Sequence, residues 1–445
     1  MAQMAEVKPP DHIKQVLRRL TEEGYAAYLV GGCARDSLMG RPVHDWDVAS
    51  SATPDDVVTL FRKTVLTGEK YGTVTVVLPE CNVEVTTFRS ESGYLDGRRP
   101  SIVGFVTSLD EDLSRRDFTM NAIAVSISGE LVDPFGGVED IKNRVIRCVG
   151  SPDDRFAEDA LRMFRAYRFS AELGFDIEPE TIASIGRNAV KAALISAERV
   201  RVELEKTLLS PRPEISGDMI KTGLLASYIS EAGECPGGLG KLASLPVEAA
   251  PRWCAFCSLL LDGGSICSAG EFLRGMRLDS NTVKICNSAL SVDGSLIEEV
   301  IHDRIAVKRL LAKHGAAAVR CAAAVRDALY TAGYETRNSG VYGEWNDGTV
   351  RNDVTARNDG TARNDGTALY VGSALKSVDE VIHSGECFSL DALHIKGGDL
   401  ISLGYAPGPG LGDTLTALLR HVIEHPEDNN RRALIEIVKR IDRDS

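Results

Sequence analysis

Asp45-Trp46-Asp47 is the first place in the chain where residue type and spacing point to chemistry. On a β-strand, residues two apart share one face, so both carboxylates point the same way. Side by side they repel, and a divalent cation is their natural neutraliser. Mg²⁺ suits the hard oxygens and binds through one or two carboxylates together with substrate phosphates. For this pair alone, a solvated acidic strand face stays open as the plain alternative. Fourteen residues before Asp45, Gly31-Gly32-Cys33-Ala34-Arg35-Asp36 follows a short apolar run. Two glycines let backbone approach a ligand closely, and the helix N-terminus beyond offers amide donors to a phosphate. Taken singly, such a pair is only a turn. A phosphate cradle beside a metal-binding carboxylate pair is the equipment for phosphoryl or nucleotidyl transfer. Glu84 sits between Val83 and Val85, so its side chain projects opposite to theirs and is a candidate third carboxylate.

A second group of polar residues lies further on. Arg162, Arg165 and Arg168 recur every third residue with Asp159 one step earlier, which predicts a spiral along one helix face. Charge runs of this kind are usually solvated. Here Leu161, Phe164, Tyr167 and Phe169 crowd the remaining surface and predict a helix packed inside the protein. Buried arginines need anionic or acceptor partners. An Asp that accepts and an Arg that donates can hydrogen-bond a base edge.

The elements that must hold these residues are partly legible. His12 to Glu23 reads as a helix, and Ala26 to Val30 and Asp45 to Ala49 read as strands. Pro54 to Lys63 reads as a helix with Thr53 as its cap and Pro54 at the first position. Thr73 to Leu78 and Val83 to Phe88 alternate at period two around Pro79 to Asn82 and predict a hairpin. Residues 89–105, with Gly93, Gly97 and Arg98-Arg99-Pro100, read as a mobile loop. After Asp133-Pro134-Phe135-Gly136-Gly137 the strand signal fades. Helical periodicity dominates from Phe156 to about residue 330, predicting helices in series with no parallel sheet. Residues 345–368 run through four hexads of the Arg-Asn-Asp-Gly-Thr-Ala type. They carry almost no large apolar side chain and cannot bury a core, so they read as a flexible insertion. A calcium-binding repeat would need a nonapeptide period and more copies. Helical pattern returns from Ala392 to Ile441.

Composition narrows the classes. With 445 residues, the prior of roughly 150 residues per domain predicts about three domains. Hydrophobic content of 43% and charged content of 26% are those of a soluble globular protein, not a disordered one. No run approaches the roughly 20 apolar residues that cross a bilayer, and the first ten residues show no export signal. The expected compartment is the cytoplasm. A net charge of −13 argues against coating nucleic acid over the whole surface but leaves room for a local basic groove. Ten scattered cysteines fit free thiols better than a disulfide framework. Cys254 and Cys257 form a lone CxxC, read as a helix turn ahead of a zinc site. His302-Asp303 matches the dipeptide of metal-dependent phosphohydrolases, but no convincing partner ligands precede it.

Gly31-Gly32-x-x-Arg35-Asp36 followed by Asp45-x-Asp47 resembles the DNA polymerase β-like nucleotidyltransferases. The closer resemblance is to class II tRNA nucleotidyltransferases, the CCA-adding enzymes, with their bacterial poly(A) polymerase relatives. Asp112-x-x-Arg115-Arg116-Asp117-Phe118-Thr119-x-Asn121-Ala122, Glu158-Asp159-x-x-Arg162-x-x-Arg165 and Glu198-Arg199-x-x-x-Glu203-Leu204 continue it in order over about 175 residues. Ile395 to Leu419 resembles the tail of bacterial members. Thr67-Gly68-Glu69-Lys70-Tyr71-Gly72-Thr73 resembles the tRNA enzymes and lacks the basic signature of the poly(A) enzymes. The resemblance implies an α+β fold with a nucleotidyltransferase head over 1–137. A helical neck over 138–205, a helical body over 206–330 and a tRNA-binding tail over 331–445 would follow. It implies addition of C and A to the tRNA 3′ end from CTP and ATP by two-metal nucleotidyl transfer, with two Mg²⁺ ions on Asp45 and Asp47 and pyrophosphate leaving. Addition of only CC or only A, a poly(A) polymerase, and a catalytically silent RNA-binding homologue are the alternatives. Gly31, Gly32, Arg35 and Asp36 would serve the phosphates, and Arg116 a triphosphate or ribose contact. Asp159 and Arg162 would read the base, with Arg165 and Arg168 holding the nucleotide or supporting that pair. Asp117 and Asn121 would brace the loop, and residues 89–105 would assist the switch from C to A. The oligomeric state stays open.

Overall fold

Apolar residues spaced three and four apart along Asp11–Glu22 (α1) form a stripe that buries Ile13, Val16, Leu17 and Leu20. That stripe covers one face of a mixed sheet. In this computed structural model, residues 5–68, 72–94, 100–230, 235–292, 297, 303–330 and 373–444 are described. The chain divides into two compact units, Met1–Ser227 and Tyr228–Ser445.

In the first unit, Ala27–Val30 (β1) runs into Gly32–Leu38 (α2), then Trp46–Ser50 (β2) and Pro54–Leu60 (α3). α3 opens with the expected cap: Thr53 and Asp56 satisfy each other's backbone amides with Pro54 at the first turn. Thr64–Gly68 (β3), Thr73–Val77 (β4) and Asn82–Thr87 (β5) follow. Ala124–Ser126 (β8) and Leu131–Val132 (β9) complete a seven-stranded sheet in the order β3-β4-β5-β2-β1-β8-β9. β4 and β5 form the expected hairpin, and β2 pairs with β5 in parallel. Leu29, Trp46, Val48, Val83 and Val85 pack with α1 and α3 on one face. Alternation sends Asp47 and Glu84, register partners across β2 and β5, to the opposite face.

Three sequence expectations need correction. Residues 89–105 are not a plain loop: Arg89–Tyr94 (β6) and Pro100–Phe105 (β7) pair antiparallel, satisfying each other's backbone groups. Residues 95–99, with Gly97, Arg98 and Arg99, lie outside the described residues. Leu109–Ser114 (α4), Gly137–Asn143 (α5), Pro152–Glu158 (α6) and Leu161–Leu173 (α7) come next. Asp159 does not continue the helix of the arginines. It sits in the break between α6 and α7 at φ −143°, where its carboxylate accepts from the Leu161 amide at 3.0 Å, as a cap does. The helical stretch also includes a short parallel ladder, because Val145–Ile146 (β10) pairs with Asp176–Ile177 (β11). Pro179–Asn188 (α8), Ala197–Leu209 (α9) and Ile215–Lys221 (α10) finish the unit.

The second unit is helical: Ala249–Asp262 (α11), Ala269–Gly275 (α12), Ser280–Leu290 (α13), Arg304–His314 (α14) and Ala316–Leu329 (α15). Ser373–His383 (α16), Gly397–Ser402 (α17), Pro409–Glu424 (α18) and Arg431–Asp444 (α19) follow. Trp253, Phe256 and Phe272 cluster with ring centroids 6.2 to 6.4 Å apart. Cys254 and Cys257 are buried within α11. Asp303 caps α14, accepting from the Ile305 amide, which gives half of the His302-Asp303 dipeptide a structural role. His302 and the hexads lie outside the described residues. Among the described residues, no helix is long and apolar enough to cross a membrane.

One close approach braces the ground beneath the polar face. A Cβ at Gly137 would lie 2.0 Å from the Thr119 carbonyl oxygen, in the turn Thr119–Asn121 that Thr119 also ties to Asp140 at 2.6 Å. Only glycine lets α5 reach that turn. Gly137→Ala is expected to lower unfolding stability by about 3 kcal/mol, against the small gain Ala usually brings to a helix. Urea denaturation checks this; an unchanged midpoint would show that the turn gives way freely.

Candidate active site

Asp45 is exposed just before β2, while Asp47 on the strand is half-buried. Burial pushes the Asp47 carboxyl up to about 6, and Glu84 and Asp45 add to the rise against the pull of Arg116. The protein alone therefore leaves negative charge at this point undercompensated. Hard carboxylate oxygens with that surplus are the donor set a divalent cation shares with phosphate oxygens. Among the described residues, no group of three or more His, Cys, Asp or Glu is arranged to hold a metal ion by itself. Gly31, at φ +72°, turns the chain beside the pair. A Cβ there would meet Arg116 Nη1 at 3.0 Å and Asp47 Oδ2 at 3.9 Å. The glycine turn, the carboxylate and a guanidinium thus share one small space.

That space opens into a cavity of about 580 Å³. Gly31, Gly32, Arg35, Asp36, Asp45, Asp47 and Arg116 line it, together with Arg165 and Arg168 of α7. A second cavity of about 580 Å³ shares Asp45 and Asp47 and is lined by Glu84, Thr67 and Thr75. The first is rich in cations, whereas the described lining of the second includes no Lys or Arg.

Arg35 and Arg165 are joined by a continuous chain of partners, and Arg116 and Arg168 have carboxylates of their own. Arg35 donates to both Asp36 oxygens at 2.9 Å and to Asn121 Oδ1 at 2.7 Å. Asn121 donates to Asp117 Oδ1 at 3.0 Å, and Arg165 donates to Asp117 Oδ2 at 2.8 Å. Burial alone would raise the Asp117 carboxyl, but Arg165 and Asn121 hold it well below the usual range. Asp112, also buried, pairs with Arg115 and Arg116, which outweigh its desolvation and keep it low. Arg168 donates to Glu203 at 2.6 Å and Glu172 at 2.9 Å.

Asp159 and Arg162 do not line this cavity. Asp159 accepts from Arg199 at 2.7 Å. Arg162 pairs with Glu158 and donates to the Arg115 carbonyl at 2.7 Å. Helix geometry accounts for the split: each three-residue step turns the side chain back by about 60°, so Arg162 and Arg168 point about 120° apart. The lining also includes residues that the sequence left unmarked for chemistry, namely His44, Phe169 and Lys206. No local signal marks them, since an aromatic in a packed helix reads as core and an exposed lysine as solvated surface.

The Poly A polymerase head domain family matches residues 27–147, and the family described as the probable RNA and SrmB-binding site of polymerase A matches residues 174–232. The CCA-adding enzyme of Limosilactobacillus fermentum is 36% identical over 443 residues, 97% of this chain and 96% of that protein. The CCA-adding enzyme of Geobacillus stearothermophilus is 43% identical over 292 residues, 64% of this chain and 71% of that protein. The solved structure of the Bacillus stearothermophilus CCA-adding enzyme in complex with CTP superposes with a TM-score of 0.73 at 31% identity, over 98% of this chain and 100% of that one.

Because the Asp47 carboxyl titrates higher folded than unfolded, ionising it costs stability as pH rises from about 4 through about 6. Asp47→Asn is expected to stabilise the metal-free protein at pH 7.5 by about 1 to 2 kcal/mol while abolishing metal-dependent activity. The gain should shrink as pH falls from 6 toward 4, where the wild-type carboxyl takes its proton. Thermal unfolding across that window checks it; a difference independent of pH would refute the cause.

Proposed function

The chain belongs to the family of CCA-adding enzymes, and from that premise we propose how its residues divide the work of adding C and A to the 3′ end of tRNA. CTP and ATP are the donors and pyrophosphate leaves. The observation that carries the assignment is the meeting of the Asp47 carboxylate with Arg116 at the Gly31 turn, in a cation-rich cavity that Asp45 also lines.

The Gly31-Gly32 backbone at the start of α2 receives phosphate oxygens, with Arg35 and Arg116 as counter-charges and Asp36 fixing Arg35. Asp45 and Asp47 would hold two divalent cations, which we assign as Mg²⁺. Bound there, they would supply the positive charge that activates the RNA 3′-hydroxyl and neutralises the triphosphate. The 3′ oxygen attacks the α-phosphorus in line and gives up its proton to solvent, the bond to the β-phosphate oxygen breaks to release pyrophosphate, and no covalent enzyme intermediate forms. The cavity on the Glu84 side, with no lining cation described, is left for the RNA terminus. Arg165 and Arg168 hold the nucleotide from α7. Asp159 and Arg162 read its base edge, for which Arg162 exchanges its bond to Glu158 and Asp159 its bond to Arg199.

In this reading residues 1–137 are the head, 138–205 the neck, 206–330 the body and 331–445 the tail that grips tRNA. The cytoplasm is the proposed place of work, in keeping with ten free cysteines.

Three tRNA transcripts, ending at the discriminator base, after one C and after CC, would be offered CTP, ATP or both with Mg²⁺. All three should grow to CCA and stop. Arrest after CC, or extension only of the CC-ended tRNA, marks a partial enzyme, and unlimited A addition marks a poly(A) polymerase. Asp45→Ala should cut incorporation roughly a thousandfold or more while tRNA binding persists. Surviving activity would overturn the metal assignment. Arg162→Ala should blur the choice of CTP and ATP over UTP and GTP; intact selectivity would remove it from base reading.

A further inference from the structure

Three guanidinium groups converge on one aromatic ring at the cavity wall. The Cζ atoms of Arg168, Arg35 and Arg165 lie 3.9, 5.0 and 5.2 Å from the Phe169 ring centroid. Phe169 is itself part of the cavity lining and only 4% exposed. Its other close ring contact is edge-on to Phe118, with centroids 5.9 Å apart. Like charges do not gather unaided. Each arginine has an acidic partner, Asp36 for Arg35, Asp117 for Arg165, and Glu203 with Glu172 for Arg168. Asn121 and Asp117 link Arg35 to Arg165, but Glu203 and Glu172, the partners of Arg168, lie outside that chain. The ring is the one group that all three guanidinium groups approach, and the negative face of its quadrupole attracts a cation placed over it, most strongly where water is excluded. Arg35 comes from α2, and Arg165 and Arg168 come from α7, so the ring joins cations from two elements at one wall.

We propose that Phe169 is a positioning residue for the nucleotide: its π-face gathers Arg35, Arg165 and Arg168 into one cation cluster before the triphosphate arrives. The inference rests on the reading of these arginines as nucleotide-binding. Its physical content is preorganisation. A cluster assembled in the empty cavity spends none of the ligand's binding energy on ordering three long side chains against their mutual repulsion. Binding of this kind serves ground state and transition state alike, so its loss shows in KM and not in kcat.

The test replaces Phe169 in the full chain with phenylalanines carrying one, two, three and five ring fluorines. These keep the ring's shape while draining its face of negative charge. Binding of CTP without tRNA, and KM and kcat for CTP on a tRNA ending at the discriminator base, would be read for each. Kd and KM should rise stepwise, by about 3- to 10-fold across the series, with kcat within about twofold and an unchanged melting midpoint. Phe169→Tyr, which keeps a rich π-face, should match wild type. Phe118→Leu removes the edge contact together with some core packing, so its melting midpoint should fall while Kd for CTP stays near the wild-type value. A flat fluorine series, or an equal loss in Phe118→Leu, would overturn the proposal and leave Phe169 as packing. A wild-type chain that binds no CTP would instead overturn the nucleotide reading, an outcome distinct from a flat series.

Discussion

The Asp117 carboxylate sits buried between Asn121 and Arg165, and the geometry of the cavity hangs on that contact. Arg35 reaches it through Asn121, so a single chain of hydrogen bonds runs from the helix after the glycine turn to the long helix α7. Removing one partner from such a network leaves a buried charge without a counter-charge, which costs far more than an exposed ion pair contributes. Both ends are therefore tied to one geometry. The close approach at Gly137 supports the same turn, since the Thr119–Asn121 segment packs against both α5 and α2.

The site is built on an asymmetry of charge. Its arginines are provided for: Asp36, Asp112, Asp117 and Glu203 pair with Arg35, Arg115 and Arg116, Arg165 and Arg168. Asp47 is not, and its raised carboxyl records the shortfall. The anchored cations give a fixed shape, while the unbalanced carboxylate gives an affinity that only an incoming positive charge relieves. Local strain of this kind is expected where a fold gives up stability for function.

Much of this was legible from local rules. Alternation on β2 and β5 put Asp47 and Glu84 on one face, and the Thr53-Pro54 start marked α3. What local rules missed depends on long-range packing. Asp159 left the helix because a carboxylate is worth more as a cap for the Leu161 amide than as one more helical residue, and periodicity cannot weigh that. Residues 89–94 and 100–105 pair as antiparallel strands, and such pairing is a property of two strands together. Phe169 and Lys206 carry no spacing signal, because what distinguishes them is the cavity they border, and the cavity exists only once α2, α7 and α9 are assembled.

The thiol at the cavity wall has a practical corollary. Cys33 shares its hydrogen with the Val30 carbonyl at 3.1 Å and the Asp47 carbonyl at 3.5 Å, and burial pushes its pKa up to about 11. A thiol so placed stays protonated at neutral pH and is a poor nucleophile, despite lying beside the substrate space. Of the ten cysteines, seven are buried, two are intermediate and only Cys267 is exposed. A maleimide dye at neutral pH therefore has one favoured address in the second unit, and the chain can take a fluorescent reporter there with its wild-type cysteines in place.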